Sequence, residues 1–227
     1  MRPLVADASI DVVLLNCVLN LVRFEDKREL FAEIFRFLRR GGCAIISDMV
    51  SDEDVPDALQ QDPALWSGCL AGALREDRFL AAFDEAGSYG VKLLERQTEP
   101  WRIVEGIEFR SMTVAAYKEK EGPCWDQQHA VLYRGPFRQV EDDDGHGFRR
   151  GLRTAVCEKT FRLFSQDPYS TPVELIPPRV LPPLEEAPPF PCTGGTLVRH
   201  ARETKGADYR VTTEVALGAG GPNGSCC

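Results

Sequence analysis

The 227-residue sequence predicts an α/β fold, a partial parallel sheet followed by a smaller β-rich extension. Three observations point there. Two short apolar runs flank an amphipathic helix near the start, the strand, helix, strand order of a parallel α/β unit. Two further runs rich in β-branched and aromatic residues follow a helical stretch and share one connecting loop, as an antiparallel pair would. Beyond Gly122 strand-like segments and turns replace helices, and nine of the 16 prolines fall between Pro168 and Pro191.

The elements follow in order. Ile10 to Leu15 is almost continuously apolar, which is how a strand buried on both faces reads. Between Glu25 and Arg39, Leu30, Phe31, Ile34, Phe35 and Leu38 fall at helical spacing, with cations in the last turn and Gly41-Gly42 as the expected left-handed stop. Cys43 to Ser47 repeats the strand pattern and is expected to end at Asp48, at a strand carboxyl end where open α/β sheets bind ligands. Residues 54–61 and 62–74 read as two short helical pieces, and Glu76 to Ala86 as a helix carrying Phe79, Leu80 and Phe83 on one face, with Gly87 as its stop. Val91 to Gln97 and Phe109 to Tyr117 are the antiparallel strands, and the loop between them holds Pro100, Trp101 and Gly106. In the extension, His129 to Val140 and Arg153 to Phe164 read as strand-like segments either side of the hairpin turn Glu141 to His146. The proline density after Pro168 favours extended chain over a surface. The expected division is therefore 1–118, 119–167 and 168–227.

Composition narrows the function. The net charge is −8 and hydrophobic residues make up 43%, which requires a folded core and disfavours nucleic acid or an anionic membrane surface as partner. No apolar run near the start approaches the ~18 residues of a membrane span, so the expectation is a cytoplasmic protein with no membrane. Eight cysteines occur without a C-x-x-C pair, so a zinc finger is not expected. Scattered thiols suit a soft ligand assembled by the fold.

Asn16-Cys17-Val18-Leu19-Asn20-Leu21, the helix Phe31 to Arg40 with Gly41-Gly42, Ser47-Asp48, and Leu65-Trp66-Ser67-Gly68-Cys69-Leu70-Ala71-Gly72-Ala73-Leu74 together resemble the arsenite methyltransferases, over roughly residues 4 to 118. The extension, including Arg134-Gly135-Pro136-Phe137 and the closing Cys226-Cys227, is similar to the carboxyl-terminal part of bacterial members. The resemblance implies the second half of a class I methyltransferase (Rossmann-like) sheet, and methyl transfer from S-adenosylmethionine to thiol-bound As(III). It makes Cys17 and Cys69 arsenic ligands rather than nucleophiles, and places Asn16 at the donor. Arsenic(III) carries a lone pair and prefers thiolate sulfur. The reaction then needs alignment and desolvation more than a general base. Arsenite or its thiol conjugates are the implied substrate, with glutathione or a thioredoxin-type reductant as partner.

Cys226 and Cys227, two thiols on a Gly-rich tail, offer an arsenic relay. Asp48 reads equally as a pocket residue or a cap; Cys43 as packing; Cys124, Cys157 and Cys192 as structural, with no assigned role. The run Asp142 to His146 reads as a solvated turn rather than a metal loop. The family's Gly-rich donor turn and the acidic residue of its second strand are not found. Gly218-Ala219-Gly220-Gly221 neither follows a strand nor opens a helix. The expectation is a shortened arsenite methyltransferase with impaired or no activity alone, its strand Ile10 to Leu15 left as a bare edge that pairs or aggregates. Two alternatives stand beside it: a non-catalytic thiol protein that binds arsenite or another soft metal, and methylation of a small organic molecule.

Overall fold

The computed structural model describes residues 4–118, 122–206 and 208–210. In chain order the first unit contains β1 (Ile10–Asn16), α1 (Lys27–Phe37), β2 (Leu38–Ser51), α2 (Asp57–Gln60), α3 (Pro63–Ser67), β3 (Leu74–Arg75), α4 (Glu76–Glu85), β4 (Tyr89–Arg96), β5 (Arg102–Val104) and β6 (Ile107–Tyr117). These strands form one six-stranded mixed sheet in the order β1-β2-β6-β4, with β3 beside β2 and β5 beside β6. β1 and β2 are parallel with α1 as their crossover, whereas β6 inserts antiparallel between β2 and β4. The α/β class and the antiparallel closing strands match the sequence reading.

The core lies between the sheet and its helices. α1 turns Phe31 and Ile34 inward, α4 turns Phe79 and Phe83 inward, and all four share one buried cluster with Ile46, Val50 and Val114 of the sheet. Phe31 and Phe83 pack edge to face with ring centroids 4.9 Å apart. Burying an aromatic side chain of this size contributes about 1.5–3 kcal/mol, so this face fixes the position of β1 relative to β2.

Several boundaries differ from the sequence expectation. α1 stops at Phe37 rather than Arg39, because Leu38 is already extended (φ −62°, ψ 133°) and begins β2. Gly41-Gly42 therefore does not end the helix. Gly41, at φ +79°, lies where the β1/β2 register shifts, and a Cβ on Gly42 would sit 2.8 Å from the Arg39 carbonyl oxygen and 3.0 Å from that of Asp11. The pair lets β2 bulge against β1. β2 also continues past Asp48 to Ser51 because β6 pairs with it through Phe109; the parallel partner, by contrast, ends at Asn16 opposite Ser47. β1 is not covered on both faces: Val12 is 51% and Leu14 69% exposed, and among the described residues no strand pairs with its outer edge.

The second unit comprises β7 (Ala130–Tyr133), β8 (Gln139–Glu141), β9 (Gly147–Arg149), β10 (Arg153–Ala155), α5 (Glu158–Phe164), β11 (Val173–Ile176) and α6 (Ala201–Lys205). β10, β7 and β11 form a three-stranded antiparallel sheet, and β8 and β9 a hairpin across the expected turn. Arg153 to Phe164 is strand only as far as Ala155. The β-branched and aromatic content of the rest belongs to α5, whose inward residues Thr160, Leu163 and Phe164 follow helical spacing. The proline-dense chain supplies an edge strand, β11, over a stretch that itself contains no proline. Between the units, the Gly90 N–H donates to Asp143 Oδ2 at 2.6 Å, and Tyr169 packs on Tyr89. A Cβ on Gly90 would fall 1.7 Å from the Tyr169 hydroxyl.

Candidate functional site

Cys17 follows the last residue of β1 and Cys69 follows the end of α3. Their loops meet above the point where β1 leaves β2. The Cys17 N–H donates to the Ser47 carbonyl at 2.9 Å, and the backbone turns left-handed there, φ +53°. Cys69 is left-handed as well, φ +57°, with its N–H on the Trp66 carbonyl at 3.0 Å. For a residue with a Cβ this conformation costs about 1–2 kcal/mol. Both loops are therefore held in shape by their surroundings.

The two thiols share one cavity of about 330 Å3, walled by Cys17, Met49, Ser67, Cys69, Gln97 and Trp101. The Cys69 thiol reaches the Cys17 carbonyl oxygen at 3.8 Å, and the Cys17 thiol reaches Asn16 Oδ1 at 3.3 Å. Cys17 is exposed and Cys69 half-buried. Desolvation, then the Asp48 carboxylate and Cys69, push the Cys17 thiol above its ordinary value. Those neighbours hold the Cys17 donor toward its protonated form.

Residues that sequence reasoning missed hold this geometry. Asn20, fully buried, donates from Nδ2 to the Met49 carbonyl at 2.7 Å and to the Cys69 carbonyl at 3.0 Å, tying the loop after β1 to the loop that carries Cys69. Gly72 lies against the same residue: a Cβ there would fall 2.2 Å from the Asn20 carbonyl oxygen. Asp48 is the cap, not a pocket wall. Its carboxylate accepts from the Asn20 N–H at 3.3 Å and the Met49 N–H at 2.8 Å, and burial raises its pKa. Buried Lys27 donates to the Leu19 carbonyl, and desolvation lowers its pKa to about 8. An Asn four residues after the strand, and a Gly in the Cys69 segment, were the signals available; a buried lysine on an amphipathic helix gave none.

The other candidates fall as follows. Asn16 is exposed at the end of β1, beside Cys17. Cys43 is half-buried in β2. Cys226 and Cys227 lie outside the described residues. Asp142 closes its turn by accepting from the N–H groups of Asp144 and His146, and its carboxylate meets His146 Nδ1 at 3.1 Å. Cys124, Cys157 and Cys192, which the sequence gave no role, come together with their sulfurs within 4.8 Å of one another. Among the described residues no helix is long and apolar enough to cross a membrane.

Residues 1–87 match a family model described as a methyltransferase domain, and residues 120–209 one described as a domain of unknown function (DUF8838). The arsenite methyltransferase of Aquipseudomonas alcaligenes is 31% identical over 185 residues, covering 75% of this chain and 52% of that protein. That of Halobacterium salinarum is 44% identical over 89 residues, 39% of this chain and 22% of that protein. The human arsenite methyltransferase is 27% identical over 185 residues, covering 74% and 48%. A solved arsenic(III) S-adenosylmethionine methyltransferase from Chlamydomonas reinhardtii superposes with a TM-score of 0.49 at 24% identity, covering 82% of this chain and 64% of that one. The chain spans about half the length of most of these curated relatives. By sequence the protein is similar to arsenite methyltransferases over about half their length, and its first unit, a mixed α/β sheet, matches a methyltransferase-domain model over residues 1–87.

Proposed function

We propose that this chain supplies the arsenic-holding part of a methyl transfer from S-adenosylmethionine to arsenite, with Cys17 and Cys69 as the two protein ligands. The observation that carries the reading is that two cysteines 52 residues apart, each on left-handed backbone, open into one cavity. Arsenous acid condenses with two thiols, each As–O bond being replaced by As–S as a hydroxide leaves with the thiol proton as water. An external thiol such as glutathione fills the third position. Met49 and Trp101 exclude water from one side of the ion, and Asn20 and Gly72 hold its two ligands in register.

The methyl donor is a different matter. Among the described residues no glycine-rich turn follows a strand and opens a helix: Gly41-Gly42 bulges β2, and Gly194 packs against the Gly145 carbonyl. The described residues thus fit arsenic and only the rim of a donor site, where Asn16 at the end of β1 is the proposed contact. Activity of the chain alone is accordingly proposed to be impaired, and the boundary between its two units to lie near residue 119.

Trp101 gives a local readout. In a protein with Trp66→Phe and Trp125→Phe, arsenite with glutathione should quench Trp101 fluorescence saturably, and Cys17→Ser or Cys69→Ser should each weaken the response about tenfold or more, as loss of one chelating arm does. Quenching unchanged in both variants overturns the reading. Saturable binding of S-adenosylmethionine, followed by calorimetry, separates a methyl-transfer role from the alternative of a thiol protein that only sequesters arsenite.

A further inference from the structure

We propose that Cys124, Cys157 and Cys192 form a second site for trivalent arsenic, a three-thiolate cradle in the β-rich unit. The proposal rests on the reading that this protein handles arsenite, but not on the cavity at Cys17. The three sulfurs lie within 4.8 Å of one another although 68 residues separate the first from the last. Bonds of about 2.3 Å from one pyramidal three-coordinate centre put its sulfurs roughly 3.5 Å apart, so an adjustment of about 1 Å closes the ring.

The cradle is assembled by backbone contacts that do not involve the thiols. The Phe190 N–H donates to the Cys124 carbonyl at 2.9 Å, which lays the proline-rich chain beside residue 124. The Cys192 N–H then donates to the Phe190 carbonyl at 2.9 Å, a tight turn that brings residue 192 back. The Glu158 N–H donates to the Trp125 carbonyl at 3.0 Å and joins the start of α5 to the same strand of chain. Cys157 is oriented twice over: its sulfur caps α5 by accepting from the Thr160 N–H at 3.4 Å and lies 3.3 Å from the Thr160 hydroxyl. Exposure is graded, with Cys157 buried, Cys124 half-buried and Cys192 at the surface. Entry is therefore from the Cys192 side.

The donor set selects the ligand. Among the described residues no imidazole or carboxylate joins the three sulfurs in the cluster, whereas structural zinc takes four ligands. Trivalent arsenic takes three and keeps a lone pair in the fourth direction. The step balances without redox chemistry: arsenous acid and three thiols give one arsenic held by three As–S bonds and three waters. Zinc binding to the same thiols must instead expel protons, so acid separates the two ions.

The test uses the full chain with Cys17→Ser, Cys69→Ser, Cys226→Ser and Cys227→Ser, which leaves Cys43 as the only thiol outside the cradle. Arsenite should bind at one arsenic per chain with three sulfur neighbours by X-ray absorption, and binding should persist at pH 6 in the presence of equimolar zinc. Adding Cys192→Ser, at an exposed position, should weaken binding at least tenfold. Adding Cys157→Ser, which preserves a hydroxyl cap on α5, should do the same in a chain with an unchanged far-ultraviolet spectrum. No arsenic bound, fewer than three sulfur neighbours, displacement by zinc at pH 6, or indifference to Cys192→Ser each overturns the proposal. If that happens while Trp101 of the unaltered cavity still responds to arsenite, the cradle fails and the cavity reading stands. Arsenic held here while Trp101 does not respond is the reverse case.

Discussion

Gly72→Ala is the sharpest probe of the cavity because it alters neither sulfur. The added Cβ would lie 2.2 Å from the carbonyl oxygen, 2.9 Å from the carbonyl carbon and 3.1 Å from the Cα of Asn20. All three are backbone atoms, so no side chain can swing aside. Restoring ordinary contact requires a displacement of roughly 1 Å between the two cysteine-bearing loops, and overpacking of this kind costs about 1–3 kcal/mol. The same movement stretches the Asn20 bonds to the Met49 and Cys69 carbonyls, whose loss adds about 1 kcal/mol each. The expected total is about 3–5 kcal/mol in urea unfolding, with at least a tenfold loss of arsenite response at Trp101. Gly68→Ala in the same segment is the control, since its Cβ would meet only ordinary contacts at 3.5 Å and beyond. Equal stability and equal arsenite response in the two variants would refute the close-approach argument.

Asn20→Ala should destabilise by about 2–3 kcal/mol, by leaving two carbonyls without their donor, and a ΔΔG under 0.5 kcal/mol would contradict that role. Lys27 loses its proton near pH 8 in the fold but holds it to about 10.5 when unfolded, so the unfolded state binds the extra proton between those values. Stability should rise with pH across that window, by up to about 3 kcal/mol, and the rise should vanish in Lys27→Met by urea unfolding at pH 7.5 and 10. Burial lowers the His129 pKa from 6.5 to about 4, so the unfolded state takes the proton first as pH falls, and stability should drop between pH 6.5 and 4. In His129→Phe, which keeps an aromatic ring against Phe161, that acid-side loss should shrink. Leu14→Lys on the open edge of β1 should reduce self-association in sedimentation; an unchanged profile would show that the edge is not what pairs.

Much of the first unit was legible in the residues. The strand, helix, strand order follows from the apolar runs of β1 and β2 and the helical spacing of α1, and the antiparallel pair from the β-branched and aromatic content of its strands. What misled was local chemistry with two uses. Gly41-Gly42 reads as a helix stop but serves a strand bulge, because the bulge brings Gly42 against two carbonyls from β1 and β2 that no sequence window contains. Thr160 and Phe161 read as strand but lie in α5, where a cysteine sulfur replaces the usual hydroxyl cap. Of the cavity, the cysteines were legible from their motifs, whereas Asn20 was not, because its partners are backbone carbonyls 29 and 49 positions away. The sulfur cradle was invisible for the same reason: its members share no spacing, and only the returning proline-rich chain brings them together.

The left-handed backbone at Cys17 and Cys69 separates shape from chemistry. A glycine at either place would relieve the conformational penalty of a side chain and lose a comparable amount through the freedom it gives the unfolded chain. The two contributions nearly offset. Loss of a sulfur there would consequently leave melting temperature and spectra almost untouched, and a well-behaved preparation is no certificate of a competent one; the thiols themselves have to be counted.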